Sequence, residues 1–433
     1  MSLNVFLFEF KHFLRNKAKL FSYLFFMLIS IYSIYNGYKI MYQQIDTIVQ
    51  INNKQKFEIL HLLEWFDNEN KGPQDKPWIN VEDPYWSIRY TPTYVIKTPS
   101  PLLPLGVGQS EQFGFYKKIN RWSSTYDSDM TEELSNYERL INGNIDFSFV
   151  IIFLLPILII ILTFNINGLE KDLHFHKLIS IQNKKINMWI INRLLFYLIL
   201  LVLSVDILIF GTAILISGFS LALFKLVLIS NLYLVFFFSI FYIINKSSKS
   251  SSSIAFKMIS VWLLFCVIIP GSVHQYASFK YPVNYMTDFL DVNRKKTYDI
   301  FKLENSELYP MLLSTYPELI DSSNTSKTPL PNQKIRRSIS AIVNQMNIDA
   351  ANEIELQNEN KNKLIKSYYF INPTSYIQNI WNSCTSTDYY SYKDFRFTIQ
   401  ESVDMRNKLI VFEMWNDQKV DKKVYEQYLK MLK

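Results

Sequence analysis

Few side chains in this sequence could do chemistry, and the ways in which they fail to assemble are informative. The five histidines are scattered, and only His174 and His176 stand close enough to share a metal. They could touch a metal, but two such imidazoles in a loop more often serve a solvated or interfacial role. No glycine is followed by lysine anywhere, so the phosphate-binding loop of a nucleotide hydrolase is absent. GVGQSE, Gly106 to Glu111, carries two of the glycines of such a loop but not the third, lacks the strand and helix context, and reads as a turn. There is no Gly-x-Ser-x-Gly elbow and no His-Glu-x-x-His metal helix. Cys266 lies in an apolar run and Cys384 in a polar region, a placement that argues against a disulfide between them. One carboxylate, Asp206, sits inside an apolar run, where an unpaired charge costs about 2.5–3.5 kcal/mol on insertion scales. It must face protein or a water-filled cavity, either as a substrate or proton contact or hydrogen-bonded to a neighbouring helix such as the one carrying Asn231.

The elements that would hold these residues are apolar helices. Phe147 to Phe164 is an uncharged run long enough to cross a bilayer, and Pro156 within it is tolerated because neighbouring helices can satisfy the backbone groups it frees. Four further runs have the same character: 20–38, 194–217, 226–245 and 254–272. Hydrophobic residues make up 49% of the 433-residue chain, yet mean hydropathy is only +0.03, so the apolar surplus is confined to these blocks. The net charge of +7 is no nucleic-acid signal, because the basic excess flanks the apolar runs. Residues 1–19, 167–193 and 245–257 hold 12 basic against 3 acidic residues, which places them in the cytoplasm by the positive-inside rule. In the first run, Ser30, Ser33 and Gly37 fall at helical spacing and suggest a close contact with another helix or ordinary packing, with a transport-path role for Ser30, Ser33 and Asp206 as the functional alternative.

This layout predicts an α-helical integral membrane protein with five transmembrane helices and two extracytoplasmic α or α+β domains. Residues 1–18 form an interfacial helix, 19–38 the first span, 39–146 the first outer domain, 147–272 the remaining spans with a cytoplasmic loop at 167–190, and 273–433 the second outer domain. The start of 39–146 continues the first span as a helix. Seven prolines between Pro73 and Pro104 then favour turns and extended chain. Lys334 to Lys366 reads as one long helix with Ile335, Ile339, Ile342, Met346, Ala350 and Ile354 on a stripe.

Several of these stretches carry a family likeness: the interfacial N-terminal helix, PSPLLPLGVGQSE at Pro99 to Glu111, INGNIDFSFVIIFLLPILIIILTF at Ile141 to Phe164, and FINPTSYIQNIW at Phe370 to Trp381. Together they resemble bacterial type-2 ABC transporter permeases with large extracytoplasmic insertions after the first and fifth spans. The resemblance implies the membrane subunit of an exporter in the bacterial inner membrane, with the N-terminus in the cytoplasm. Such subunits pair as two copies or two paralogues and are driven by a separate cytoplasmic ATPase, which uses the ATP. It further implies that Glu170 opens a short coupling helix, followed by Lys171, Asp172 and Leu173. His174 and Phe175 stand where the family has Gly-Thr. Leu173, Phe175 and Leu178 would plug a groove on the ATPase, and Glu9 and Arg15 of the N-terminal helix would make a second contact. The family carries a sixth span after the outer helical region, and this sequence stops where it should begin, so the resemblance implies a truncated six-span topology or a member that lacks the span, the former being the expectation; the basic, amphipathic KVDKKVYEQYLKMLK would fit the approach to it.

Three functions are compatible with these features. A permease subunit moves an unidentified substrate outward and is not itself an enzyme. A non-transporting adaptor would use its outer domains to bind an envelope protein. An integral membrane enzyme, such as a lipid-head-group transferase, needs clustered acids or histidines at the membrane face, and only Asp206 is available.

Overall fold

The computed structural model describes residues 3–69, 71–126, 145–175, 186–247, 250–283, 292–321 and 331–432. Five of its helices are long and apolar enough to cross a membrane. Helix α1 (Leu3–Arg15) leads into α2 (Lys17–Trp65), where Asn16 caps the new helix by accepting from Lys19 N at 3.1 Å. As expected, α2 runs on beyond its apolar part and is 49 residues long. The second apolar helix, α4 (147–163), is followed by the short α5 (Gly168–Asp172). Helices α6 (Ile186–Ile216), α7 (Leu221–Ser247) and α8 (Ser251–Lys280) complete a bundle whose core includes Phe147, Ile159, Tyr197, Phe237 and Met258.

Two prolines shape the bundle in the same way. Proline has no N–H to bond the carbonyl four residues back, and its ring crowds that carbonyl. Ahead of Pro156 the chain forms a π-turn, Val150–Leu154, in which Leu155 N bonds Val150 O. Ahead of Pro270 it forms another, Leu264–Ile268, with Ile269 N on Leu264 O. The neighbouring helices satisfy the carbonyls around the first: Tyr233 Oη donates to Ile152 O at 2.8 Å, and Trp262 Nε1 donates to Phe153 O at 3.0 Å.

The remaining elements form a lobe at one end of the bundle. Helix α3 (Pro84–Tyr90) and the antiparallel pair β1 (Thr93–Ile96) and β2 (Tyr116–Ile119), in register Thr93 opposite Ile119, come from the first polar segment. From the second come α9 (Val292–Lys302), α10 (Asn305–Thr315), α11 (Asn332–Arg337), α12 (Ile339–Ser367), α13 (Pro373–Cys384), α14 (Tyr389–Trp415) and α15 (Lys422–Met431). The two segments, expected as separate domains, share one core: Leu62, Phe66, Tyr85 and Ile88 are buried together with Leu308, Ile342, Trp415 and Tyr425. Arg406 of α14 stitches them further, donating to Ile88 O at 3.1 Å and Thr91 O at 2.8 Å. The single helix expected over 334–366 is broken at Ser338, whose hydroxyl donates to Lys334 O and accepts from Trp415 Nε1 at 3.1 Å. Helix α15 lays Tyr425 and Tyr428 into the lobe core, and Val420 N just before it bonds Glu82 O at 2.9 Å. The basic end of the chain thus has an amphipathic partner within the lobe.

Lobe and bundle meet around Asp146. Its carboxylate accepts from Phe149 N at 2.8 Å, capping α4, and from Ser148 Oγ. The same group accepts from Val107 N at 3.1 Å and Gly108 N at 3.4 Å, so the glycine turn closes on a carboxylate of the chain itself. Trp381 of α13 is fully buried beside Phe147 and donates from Nε1 to Leu105 O at 2.7 Å. Gly37 belongs to the same region: a Cβ there would stand 2.8 Å from Pro104 Cα, so the close contact expected of it is made with the turn at Leu103–Leu105.

A polar seam joins α12 and α14 inside the lobe. Asp404 Oδ1 accepts from Asn344 Nδ2 at 2.5 Å and from Gln400 Nε2 at 2.7 Å, and Thr125 Oγ1 donates to Gln400 Oε1 at 2.6 Å. Burial pushes the Asp404 carboxyl above its usual range, more than its two donors pull it down. An acid whose pKa is higher folded than unfolded favours the fold at low pH, and loses that contribution as pH rises through the raised value. Asp404→Asn keeps the oxygen that takes both donors. It is expected to raise the thermal unfolding midpoint at pH 7 to 8, with the gain shrinking towards about pH 4, where the unfolded carboxyl is also protonated; an equal effect at both pH values would contradict this.

Candidate functional site

Away from the lobe, the bundle ends in a buried charge cluster that ties four helices. Arg193, one of the few charges within α6, is 5% exposed and reaches Glu9 of α1, which is 0% exposed, through a short Nε–Oε1 contact. Its Nη1 donates to Ile166 O at 2.8 Å and to Glu170 Oε1 at 3.2 Å. Lys19, buried at the start of α2, donates to Leu162 O at 2.6 Å and Tyr197 Oη at 3.1 Å. Lys19 thus lands on a carbonyl in the last turn of α4, where the helix dipole favours positive charge, and Arg193 on a carbonyl of the turn just after it. Two carboxylates and two cations balance, and each side chain comes from a different helix.

The short helix α5 is fixed from two sides. Glu170 holds it to Arg193, while Asp172 accepts from Ser251 N at 3.2 Å and from the Ser251 hydroxyl, capping the start of α8. Gly168 allows the approach, since a Cβ there would lie 2.6 Å from Ser251 Cα. Glu170 faces the bundle and Asp172 lies exposed against the start of α8, while α5 and the turn after it leave Leu169, Leu173 and Phe175 exposed. His174 adopts a φ of 64°, the left-handed region that glycine enters without strain. It is exposed, and among the described residues no group of three metal-ligating side chains exists. His176 and Leu178 lie outside the described residues.

The structure brings together some of the residues singled out above and separates others. Glu9 and Glu170 meet on one guanidinium, Arg193. Glu9 therefore has no exposed surface with which to touch a partner, whereas Arg15, Leu173 and Phe175 are exposed and Lys171 is half-buried. Ser30 and Ser33 are fully buried, with hydroxyls donating to Phe26 O and Ser30 O of their own helix, as packing residues do. Asp206 accepts from Asn231 Nδ2 at 3.2 Å, the neighbouring-helix pairing that its position within an apolar run demands. Cys266 and Cys384 are both free thiols.

Arg193 is the residue that sequence reasoning missed, since it was counted with the charges of the loop before α6. A signal was available: Ile190, Ile191, Leu194 and Leu195 flank it, and an arginine set in an apolar run needs a carboxylate partner.

No protein-family model, curated protein or solved structure matches the chain.

Removing one member of a buried ion pair strands the other, at a cost of about 3–5 kcal/mol, whereas replacing both with apolar residues is often near neutral. Arg193→Met alone should lower thermal stability by about that amount, and Glu9→Met added to it should recover most of the loss. Additive losses in the double variant, measured by thermal unfolding of the purified protein, would contradict the pairing.

Proposed function

We propose that this chain is the membrane subunit of an ATP-driven exporter, residing in the bacterial cytoplasmic membrane with its N-terminus inside. A separate cytoplasmic ATPase drives it, and two copies or two paralogues pair around the substrate route. The observation that carries this reading is the mounting of α5, which is braced through Glu170 to α6 and through Asp172 to α8 while it offers Leu169, Leu173 and Phe175 outward. An apolar ridge on a rigid base is what force transfer needs: the ridge seats in a groove of the moving partner, and the charged braces pass the displacement to two spans at once. Arg15 and Lys171 supply the polar rim of that contact, and Glu9 acts as a positioning residue by holding α1 to Arg193.

A non-transporting adaptor is the second reading. It is favoured by a cleft of about 500 Å3 between α12 and α14, where Phe397 and Leu356 stand exposed beside Glu359 and Glu401.

Copurification separates the two. Leu173→Glu with Phe175→Glu places two charges on the ridge without touching the braces, and is expected to abolish both recovery of an ATPase with the tagged protein and its stimulation in liposomes. Glu170→Ala should weaken the stimulation and leave the ridge in place. Recovery of a fully stimulated ATPase with the double variant would overturn the exporter reading.

A further inference from the structure

We infer that the turn between α12 and α13, residues 368–376, dips from the lobe into the outer leaflet and contacts lipid through Phe370, Ile371 and Tyr376. The inference rests on the membrane-spanning reading above, and three sets of observations carry it.

The first is depth. The polar stretch at 245–253 gives way to a helix whose last charge before Lys280 is Lys257, close enough to the end to snorkel, and this sets the near edge of the hydrocarbon on α8 at Ile254. Cys266 lies 12 residues further along, about 18 Å of helix, and so some 12 Å short of the far edge of a 30 Å core. Thr374 of α13 reaches that level, its hydroxyl 3.9 Å from Cys266 Sγ. Tyr233, which shares the site through its hydroxyl 3.7 Å from Cys266 Sγ, lies 14 residues from the near end of α7 at Ser247, about 21 Å of helix. Two helices therefore put the start of α13 at the same depth. Tyr368, by contrast, packs on Tyr276 near the outer end of α8, with ring centroids 6.3 Å apart. Between Tyr368 and Thr374 the chain must descend.

The second is composition. Lys366 and Asp388 bracket 21 residues, 367–387, without a single charge, in a lobe otherwise rich in charge. Within that stretch Phe370 is 82% exposed, and Ile371 and Tyr376 are exposed beside it. Phe279, at the outer end of α8, is also exposed. Aromatic side chains at that level are the usual occupants of a membrane interface.

The third is backbone satisfaction, which lipid demands and water does not. Ile371 N and Asn372 N bond Tyr368 O and Tyr369 O at 3.1 and 3.2 Å, and Tyr376 N bonds Asn372 O at 3.1 Å. Asn372 is fully buried, caps α13 through Ser375 N at 3.2 Å, and donates to Ser375 Oγ at 2.8 Å. These amides and the Asn372 side chain are paired, while Phe370, Ile371 and Tyr376 are bare.

The test places a nitroxide at Phe370 in nanodiscs of phosphatidylcholine and phosphatidylglycerol. Labels at Leu203, exposed on α6, and Phe397, exposed in the lobe, are the references. Cys266→Ser and Cys384→Ser remove the native thiols. The ratio of oxygen to nickel-chelate accessibility at 370 is expected to match that at 203 and to exceed that at 397 several-fold. If 370 behaves as 397 while 203 remains lipid-like, the inference is overturned and the spanning reading stands. If 203 itself is open to the chelate, the spanning reading falls and takes the inference with it. Should the thiol-free chain not fold, p-benzoylphenylalanine at 370 in the native background provides the same decision, with a phospholipid adduct by mass spectrometry expected at 370 and 203 and absent at 397. An adduct at 203 alone overturns the inference.

Discussion

One carboxylate holds the two halves of this molecule in register. Asp146 caps the second apolar helix with one oxygen and collects the amides of Val107 and Gly108 with the other. A buried charge that accepts from several donors is stable only with all of them in place, so the glycine turn and the start of α4 cannot shift separately. Trp381 locks the same point from a third direction through Leu105 O. The turn at Leu105–Gly108, the start of α4 and Trp381 therefore converge at a single spot, although more than two hundred residues separate Asp146 from Trp381.

At the far end of the bundle the tie is ionic. Glu9, Lys19, Arg193 and Glu170 bring α1, α2, α6 and α5 onto Leu162 O at the end of α4 and Ile166 O just beyond it. Desolvating such a group is costly, and the compensation comes from its partners: both cations find carbonyls and Arg193 finds two carboxylates, while Glu9 Oε2 is buried without a hydrogen bond. Between these two ends lie the π-turns before Pro156 and Pro270, packed near Tyr233 and Cys266. Backbone geometry that departs from the α-helix is thus confined to the middle of the bundle, where side chains of α7 and α8 meet the exposed carbonyls.

What was legible in the sequence follows from the range of the forces involved. The five apolar helices, the repair of Pro156 by neighbours and the pairing of Asp206 with Asn231 are consequences of composition and of a local need that only a nearby helix can meet. The Glu9–Arg193 pair was hidden, because its partners lie 184 positions apart: the apolar neighbours of Arg193 demand a carboxylate without saying which one, and Glu9 looks like an ordinary surface charge of a terminal helix. The merging of the two polar segments was hidden for a related reason. An amphipathic stripe such as Ile335, Ile339 and Ile342 declares that a face is buried without naming what buries it. The break at Ser338 depends on a hydrogen bond from Trp415, far along the chain, which no local propensity reports.

Helix α2 belongs to both halves. It is unbroken over 49 residues, about 74 Å from end to end, and the core of a bilayer would take up less than half of that. The rest stands in the lobe, where Leu62 and Phe66 near its tip are part of the common core. It therefore works as a lever arm: a tilt of about 5° at the membrane would sweep that tip through about 4 Å, given some 45 Å of overhang. Small angular changes among the spans would reach the lobe as displacements as wide as a side chain.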